Sequence, residues 1–204
     1  MSERWLAMHP LLLQAQAWWD AQRFDQPMWQ VAEWRDQKVR HIQLHVAKAL
    51  GKVVAAYGPN SAGPLGAGGR AAPGKDPMVR VRDEVLPDVA IYRSQLINTC
   101  ANWDAPTASL DHSSAHAGTP DAEPLLHVVM LLSRASAQLA AYIEPREHGE
   151  ASPTSHIRGA IQDLHASAEA LAAYFAVDVV RAHRARLEAL LAAPLPASTV
   201  IHNR

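Results

Sequence analysis

Apolar residues recur at three- and four-residue intervals along several long stretches of this chain, and this spacing predicts amphipathic helices. The clearest stretch is 28–57, and Gly58 follows it in the position of a C-terminal helix cap. Its apolar residues fall on one helical face: Val39, Ile42, Val46, Leu50, Val53 and Tyr57. We therefore expect this helix to bury one side against the rest of the protein.

Four other segments have a comparable periodicity, and we predict that each is helical. They lie at 5–24, 83–102, 121–143 and 155–193. Asp83 is the expected N-cap of its segment, because Pro87 then falls within the first turn, where proline is tolerated. Ser155 is the expected cap of the last segment, and Asp178 marks a point where a second helix could restart.

Two long connections separate these helices. The segment 58–77 is rich in glycine and proline, and 103–118 lacks periodicity, so both are predicted to be surface loops. β-branched residues do not cluster into strand-like runs. The sequence thus predicts an all-α fold, a bundle of four to five long helices in a single domain over 1–193, followed by a flexible tail at 194–204.

The composition narrows the possible functions. The chain has 204 residues, of which 49% are hydrophobic and 19% are charged, and its formal net charge is -1. This balance excludes a typical binder of nucleic-acid polymers, which needs a basic surface for the phosphates. The single cysteine, Cys100, excludes an internal disulfide and a cysteine-rich zinc module.

The N-terminal segment 1–24 carries an apolar patch that polar residues and a proline interrupt. A membrane-spanning helix needs about 20 mostly apolar residues, and a signal peptide needs a continuous apolar stretch. We therefore expect neither of these, no membrane partner, and a cytoplasmic protein.

The helix predicted at 28–57 also has a polar face, which lies opposite its apolar stripe. Residues at intervals of four, three and four positions share that face: His41, His45, Lys48 and Lys52. Two imidazoles one helical turn apart have the spacing that lets both bind one metal ion, whereas the lysines would repel a cation. The face is therefore either a solvated surface with weak ion pairs or the wall of a cleft for a metal ion or a phosphate.

Glu84 and Asp88 lie one turn apart on the helix predicted at 83–102. If this helix packs antiparallel to the preceding one, the two carboxylates come close to Lys48 and Lys52. Two outcomes stay open at this point. The charged residues either form salt bridges between the helices, or the carboxylates join the two histidines in a metal site.

Three segments resemble the MazG-like nucleotide pyrophosphohydrolases, which are all-helical. The family's helix with the motif L-A-E-E-x-G-E-L is similar to HVAKALGKVVAAY at 45–57. Its next helix, E-E-L-A-D-V-L-I-Y-x-x-x-L, is similar to DEVLPDVAIYRSQLIN at 83–98, and its closing segment resembles FAVDVVRAHRARLEALL at 175–191. The resemblance implies a MazG-like bundle, a homodimer, and hydrolysis of a nucleoside triphosphate to the monophosphate and pyrophosphate.

In that family, carboxylates from an EExxE…ExxD pattern hold Mg²⁺ against the triphosphate, since magnesium prefers oxygen ligands. This chain departs from the pattern. Aligned by the resemblance, Lys48, Ala49 and Lys52 stand where the three glutamates of EExxE occur. Val85 stands at the glutamate of ExxD, and Asp88 retains its aspartate.

The resemblance therefore makes Asp88, together with the additional acidic residue Glu84, the predicted catalytic and metal-binding carboxylates. His41 and His45 are possible further metal ligands. Because lysines cannot coordinate Mg²⁺, they either bind phosphate oxygens of the substrate or, as the simpler alternative, pair with the two carboxylates. The resulting hypothesis is a divergent pyrophosphohydrolase that uses Mg²⁺ if the family activity survives. The alternative is an inactive helical scaffold that binds a nucleotide or another protein.

The chain contains six tryptophans, all in its first half or just after it. Core packing or a dimer interface explains them most economically. Trp29 or Trp34 is the candidate for a second role, in which the indole stacks on a nucleotide base, and Trp34 is our choice for the substrate pocket.

Overall fold

Nearly every residue in the described part of the protein is helical. We describe residues 12–20, 32–57, 76–100 and 124–192 of a computed structural model. These ranges contain no strand, so the predicted all-α class is confirmed for this part of the chain.

The helices are numbered α1 to α7 along the chain, and one π-helical turn separates α3 from α4. They are α1 (12–20), α2 (Ala32–Tyr57), α3 (Pro77–Arg80), the π turn (Val81–Val85), α4 (Leu86–Cys100), α5 (Pro124–Glu147), α6 (Ser155–Phe175) and α7 (Val179–Ala192). α3, the π turn and α4 follow one another without a break.

One hydrophobic core joins these helices. α5 packs against α6 and α2, and α4 packs against α6, α7 and α2. Most of the apolar stripe predicted for α2 enters this core, where Val39, Ile42 and Val46 are fully buried, but Tyr57 at its end is exposed. Burying one such side chain stabilises the fold by about 1.5–3 kcal/mol. The core therefore holds α2 by one side and leaves the opposite side available for polar contacts.

The start predicted for the helix at 83–102 is wrong. Asp76, not Asp83, is the N-cap, and its carboxylate accepts a hydrogen bond from the Met78 N–H at 2.8 Å. Pro77 occupies the beginning of the helix, where its missing N–H leaves no hydrogen bond unmade. The Asp-Pro pair at the end of the predicted loop is thus the true start signal.

Pro87 is accommodated by the π turn that precedes α4. In this turn the Leu86 N–H bonds to the Val81 carbonyl, one residue further back than in an α-helix. The wider turn relieves the clash that a proline ring makes with the carbonyl four residues earlier. Asp83 lies inside the turn, is exposed, and pairs with Arg82 at 2.6 Å.

The last helical segment divides where Asp178 predicted a restart. Ala176 follows α6 in the left-handed conformation, with φ at 52°. The Asp178 carboxylate accepts a hydrogen bond from the Arg181 N–H at 2.9 Å, so it caps α7. Ser155, the predicted cap, is instead the first residue of α6, and Thr154 precedes it without a side-chain cap hydrogen bond.

Charged side chains link α5 to both of its neighbours. Asp163 on α6 is buried and accepts hydrogen bonds from Arg134 and, at 2.9 Å, from Gln138. Arg146 donates to Asp36 on α2 at 2.7 Å. Because a buried carboxylate needs such donors, these contacts align α5 with α6 and α2.

Among the described helices, α5 alone is long and apolar enough to cross a membrane, with a mean hydropathy of 1.3 over its most apolar window. Its buried residues form one stripe against the core, and Arg134 on its other side pairs with Asp163. This arrangement is typical of a core helix. The expected cytoplasmic location and the absence of a membrane partner stay predictions.

Several predictions concern segments that lie wholly or partly outside the described residues. The boundaries of the single domain also stay a prediction. Those outside are the helical ends at 5–11, 21–24, 28–31, 101–102, 121–123 and 193, the loops at 58–75 and 103–118, the tail at 194–204, and the side chain of Trp34.

Asp76→Ala should lower the free energy of unfolding by about 1 kcal/mol, because the Met78 N–H loses its acceptor at the helix start. Asp83→Ala removes the same side chain from an exposed position and should cost less than about 0.5 kcal/mol. Urea denaturation followed by circular dichroism measures both values. An equal loss in the two variants would contradict the assignment of Asp76 as the cap.

Candidate functional site

The predicted polar face of α2 forms one wall of a cleft between α2, α4 and α7. The cleft has a volume of about 270 Å³. The α2 wall contains all of the residues predicted to share this face: His41, His45, Lys48 and Lys52. The facing polar residues are Asp88, Tyr92, Gln95 and Arg186. The structure thus brings the predicted α2 face and Asp88 into one site.

Lys52 pairs with Glu84 beside the cleft. Lys52 Nζ donates to Glu84 Oε2 at 2.9 Å, and Arg80 Nε lies 3.7 Å from the same oxygen. Lys52 and Glu84 are both partly buried. The salt bridge predicted between α2 and the following helical segment is therefore confirmed for this pair.

Asp88 has a different partner from the lysines considered in the sequence. Arg186 on α7 donates from Nε to Asp88 Oδ1 at 2.8 Å, and the Asp88 side chain is only 15% exposed. The two residues are 98 positions apart in the chain. No local spacing could have predicted this pair, although Arg186 belongs to the segment 175–191 that carries the last of the sequence resemblances.

Lys48 differs from the other cations of the cleft. Lys52 and Arg186 each contact a carboxylate, but no described carboxylate forms an ion pair with Lys48. Among the described residues that line the cleft, Asp88 is the one carboxylate. The described side chains that line the cleft therefore carry more positive than negative charge, and the excess positive charge lies at Lys48.

Two imidazoles lie beside these cations. The ring centroids of His41 and His45 are 4.4 Å apart. Burial is the main cause that lowers the pKa of both imidazoles. The nearby His41 and Lys48 lower the pKa of His45 further, against the opposite effect of Asp88. Both rings are therefore mainly uncharged at neutral pH.

Tyr92 connects His45 to Asp88. Its hydroxyl oxygen lies 3.2 Å from His45 Nδ1, and the two ring centroids are 5.4 Å apart. Burial raises the pKa of Tyr92, and the nearby charge of Asp88 raises it further, against the opposite effect of Arg186. The phenol is therefore protonated at neutral pH. Tyr92 follows Asp88 by one helical turn, and this spacing is the sequence signal that could have predicted that the two side chains lie close together.

A buried polar group, which we call the Asp20 cluster, adjoins the cleft at Gln95. Asp20 on α1 accepts hydrogen bonds from Lys38 Nζ at 2.6 Å, Gln95 Nε2 at 2.8 Å and Gln16 Nε2 at 3.0 Å. These four residues are the members of the Asp20 cluster, and all of them are buried. Because they come from α1, α2 and α4, the cluster joins three helices. Periodicity within one helix does not predict it.

The predicted metal ligands come together only in part. His41, His45 and Asp88 line the same cleft, whereas Glu84 pairs with Lys52. Within the described ranges, no three His, Cys, Asp or Glu side chains are grouped so that they could hold a metal ion. The catalytic and metal-binding roles of these residues stay predictions from the sequence.

Trp19 lines the cleft. Its side chain is 9% exposed, so a small part of the indole surface is available there. The stacking role predicted for Trp34 lies outside the described side chains. Trp19 precedes Asp20 directly, so the hydrogen bonds of the Asp20 cluster help to hold the part of α1 that carries this indole.

Comparisons with protein-family models, curated proteins and solved structures find no match to this chain. The family resemblance described from the sequence stays a prediction.

Asp20→Ala should lower the free energy of unfolding by about 3–5 kcal/mol, because it removes the carboxylate that compensates the buried charge of Lys38. The double variant Asp20→Ala, Lys38→Met should recover most of this loss, since the buried ammonium is also removed. Urea denaturation measures both variants. Glu147→Ala, which breaks the exposed pair with Arg40, is the control and should cost less than about 1 kcal/mol. A double variant as unstable as Asp20→Ala would contradict this account.

Lys48→Ala should raise the pKa of His45, because it removes a cation that disfavours the imidazolium. The pKa of His41 should change less, since Lys48 is not among the charges that shift it. Titration of the imidazole signals by NMR measures both values.

The folded state holds the pKa of His45 below its ordinary value of 6.5, so this histidine makes the protein less stable as the pH falls through 6.5. That loss should be smaller in Lys48→Ala, and an unchanged pKa of His45 would contradict the proximity of the two charges.

Proposed function

We propose that this chain is a MazG-like helical protein whose cleft binds a phosphate-bearing small molecule, with a nucleotide as the best candidate. The proposed ancestry rests on the order of the motifs along α2, α4 and α7. These three helices also form the walls of the cleft. The side chains of the cleft support ligand binding better than hydrolysis by the family's magnesium mechanism.

The observation that carries this proposal is the charge of Lys48, with which no carboxylate among the described residues forms an ion pair. The other two cations are neutralised by carboxylates, Lys52 by Glu84 at 2.9 Å and Arg186 by Asp88 at 2.8 Å. A phosphate group bound at Lys48 would supply the missing negative charge. Hydrogen bonds with an ionised partner are about twice as strong as neutral ones, so a phosphate is a favourable ligand here.

The donor set of the cleft does not fit the magnesium centre of the family. Lys48, Ala49 and Lys52 replace three glutamates, and none of these side chains has a carboxylate oxygen to offer. Asp88 retains its carboxylate, but Arg186 already donates to Oδ1. A divalent cation would also be repelled by the lysines. Magnesium-dependent pyrophosphohydrolysis is therefore the second candidate function, and the retained Asp88 is the observation that favours it.

Apolar surface beside the cations favours a nucleotide over inorganic phosphate. Trp19 and Tyr92 line the cleft, and Ile91 and Leu190 contribute aliphatic surface. A nucleotide combines a flat base with charged phosphates, which matches a cleft with both kinds of surface. The volume of about 270 Å³ lies just below the range for small-molecule sites, about 300–1,000 Å³. A mononucleotide is thus the proposed size of ligand.

The homodimer implied by the resemblance is also a proposal. α2 has apolar and small side chains that are exposed among the described residues: Leu44, Ala47, Gly51 and Val54. A second copy that covered this surface would remove it from water. The alternative function, a helical scaffold for another protein, would use the same surface.

Binding of ATP, GTP and pyrophosphate should be detectable by isothermal titration calorimetry in the presence of EDTA, because the cleft supplies its own cations. Lys48→Ala should weaken this binding at least about tenfold, which corresponds to about 1.4 kcal/mol. The reason is that the variant lacks the cleft cation that is not paired with a carboxylate in the described part of the chain. Added salt should weaken the binding of the wild type more than that of the variant.

Arg184→Ala is the matched control, because it removes a cation from an exposed pair with Glu188 on α7, outside the cleft. Its affinity should equal that of the wild type. Binding that requires Mg²⁺ and persists in Lys48→Ala would contradict the proposal and favour the magnesium mechanism. The absence of binding for every probe would also contradict it.

A further inference from the structure

We infer that Gln95 selects nucleotides whose base carries an exocyclic amino group, as adenine and cytosine do. The inference rests on the proposed binding of a nucleotide and adds the identity of the base to it. Gln95 lies on α4, lines the cleft, and is 7% exposed. The preference follows from the direction in which its side-chain amide is held.

A hydrogen bond to Asp20 determines which way the Gln95 amide points. Gln95 Nε2 donates to Asp20 Oδ1 at 2.8 Å. Lys38 Nζ contacts the other carboxylate oxygen at 2.6 Å, so an ammonium compensates the charge of Asp20. A carboxylate can only accept hydrogen bonds, so the amide oxygen of Gln95 cannot take the place of its nitrogen. Gln95 Oε1 therefore lies on the side of the amide that faces away from Asp20.

Gln95 Oε1 is a hydrogen-bond acceptor that a ligand in the cleft can reach. No described residue donates a hydrogen bond to this oxygen. Gln16 also donates to Asp20, but its Oε1 is fully buried and has no partner among the described residues. The oxygen of Gln95 is not buried in this way, and the residue lines the cleft. The Asp20 cluster thus holds one amide oxygen toward the space where a ligand would bind.

The cations and the Gln95 amide lie at different heights of the cleft, because α2 and α4 run antiparallel. Lys52, near the end of α2, contacts Glu84 at 2.9 Å, just before α4. His45, earlier on α2, lies 3.2 Å from the hydroxyl of Tyr92, which is later on α4. Gln95 comes three residues after Tyr92 and is therefore further still from Lys52.

This arrangement gives the cleft a cationic end and an amide end. Asp88 and its partner Arg186 belong to the cationic end, and Gln95 lies seven residues further along α4, a distance of about 10 Å at 1.5 Å per residue. Trp19, which also lines the cleft, directly precedes the acceptor of the Gln95 amide. A nucleotide has its base and its phosphates on opposite sides of the sugar. With the phosphates at Lys48, the base therefore lies at the amide end.

An accessible acceptor at this end distinguishes the bases by their exocyclic groups. Adenine N6 and cytosine N4 are amino donors, whereas guanine O6 and the O4 of thymine or uracil are acceptors. An amino group gives Gln95 Oε1 the proton that it lacks. A carbonyl would face that oxygen with no proton between them, and both acceptors would lose their hydrogen bonds to water. Adenine and cytosine nucleotides are therefore the selected class.

Isothermal titration calorimetry in EDTA with two matched pairs of nucleotides tests the inference. ATP differs from ITP, and CTP from UTP, in an amino group that replaces a carbonyl. The wild type should bind ATP and CTP at least about tenfold more tightly than ITP and UTP, because an acceptor left without a proton is costly in a buried site. Gln95→Met has no amide and should bind the two members of each pair equally.

Two controls show that a loss of selectivity comes from the amide and not from the fold. Pyrophosphate has no base, so Gln95→Met should bind it with the affinity of the wild type. Gln162→Met is the same change at an exposed position of α6, outside the cleft, and should retain the preference for ATP over ITP. Circular dichroism compares the helical content and the Tm of both variants with those of the wild type.

A double variant, Asp20→Asn with Lys38→Met, tests Asp20 as the positioning residue and leaves Gln95 in place. The new amide at position 20 can donate to Gln95 Oε1 as well as accept from Nε2. The second substitution removes an ammonium that would otherwise be buried without a carboxylate. Gln95 is then no longer held in one orientation. The ratio of the ATP and ITP affinities should fall toward one, while the affinity for pyrophosphate stays that of the wild type.

The outcomes distinguish this inference from the proposed function. Tighter binding of ATP and CTP that is lost in Gln95→Met would support the inference. Equal binding of ATP and ITP by the wild type would overturn it and leave the proposed function intact, whereas the absence of binding for every probe would overturn both. A preference that persists in Gln95→Met would also overturn it. So would a preference for ATP over dATP, without one over ITP, because the amide oxygen would then bind the ribose.

Discussion

Helix α2 must bury one side in the hydrophobic core and keep positive charge on the other, and the rest of the site depends on this division. A helix has about 3.6 residues per turn, so the positions of Val39, Ile42 and Val46 determine which side Lys48 and Lys52 occupy. Burying the aliphatic side chains directs the lysines away from the core and into the cleft. Any element that packs across this side must therefore bring either carboxylates or room for an anion.

The ion pairs around the cleft differ in what they contribute. A partly exposed pair such as Lys52 with Glu84 contributes at most about 1 kcal/mol. Its main effect is geometric, because it sets the distance between α2 and the π turn. In the buried pair of Asp20 and Lys38, desolvation offsets much of the attraction, yet the loss of one partner is costly. This pair therefore specifies the position of α1, and with it the position of Trp19 at the cleft.

The sequence predicted the features that lie within one helix and missed those that depend on packing between helices. The polar face of α2 and its apolar stripe both follow from helical periodicity, and the restart at Asp178 follows from capping chemistry. Arg186 lies 98 positions from Asp88, and no local pattern relates two such residues. The start at Asp76 was missed for another reason. Proline is unfavourable in the interior of a helix, so Pro87 predicts that the helix begins within one turn before it. The π turn before Pro87 accommodates the proline ring, so the helix can begin earlier, at Pro77.

The family resemblance implies that lysines on α2 stand where the family has glutamates. This exchange changes the kind of ion that the cleft prefers, and it also affects the neighbouring histidine. Glutamates on this face would attract cations, whereas lysines attract anions, and the helical framework is the same in both cases. Burial is the main cause that lowers the pKa of His45, and the same lysines lower it further, so the charge that repels a metal ion also helps to keep this imidazole neutral. Anion binding at Lys48 and the neutral state of His45 are therefore linked through one set of charges.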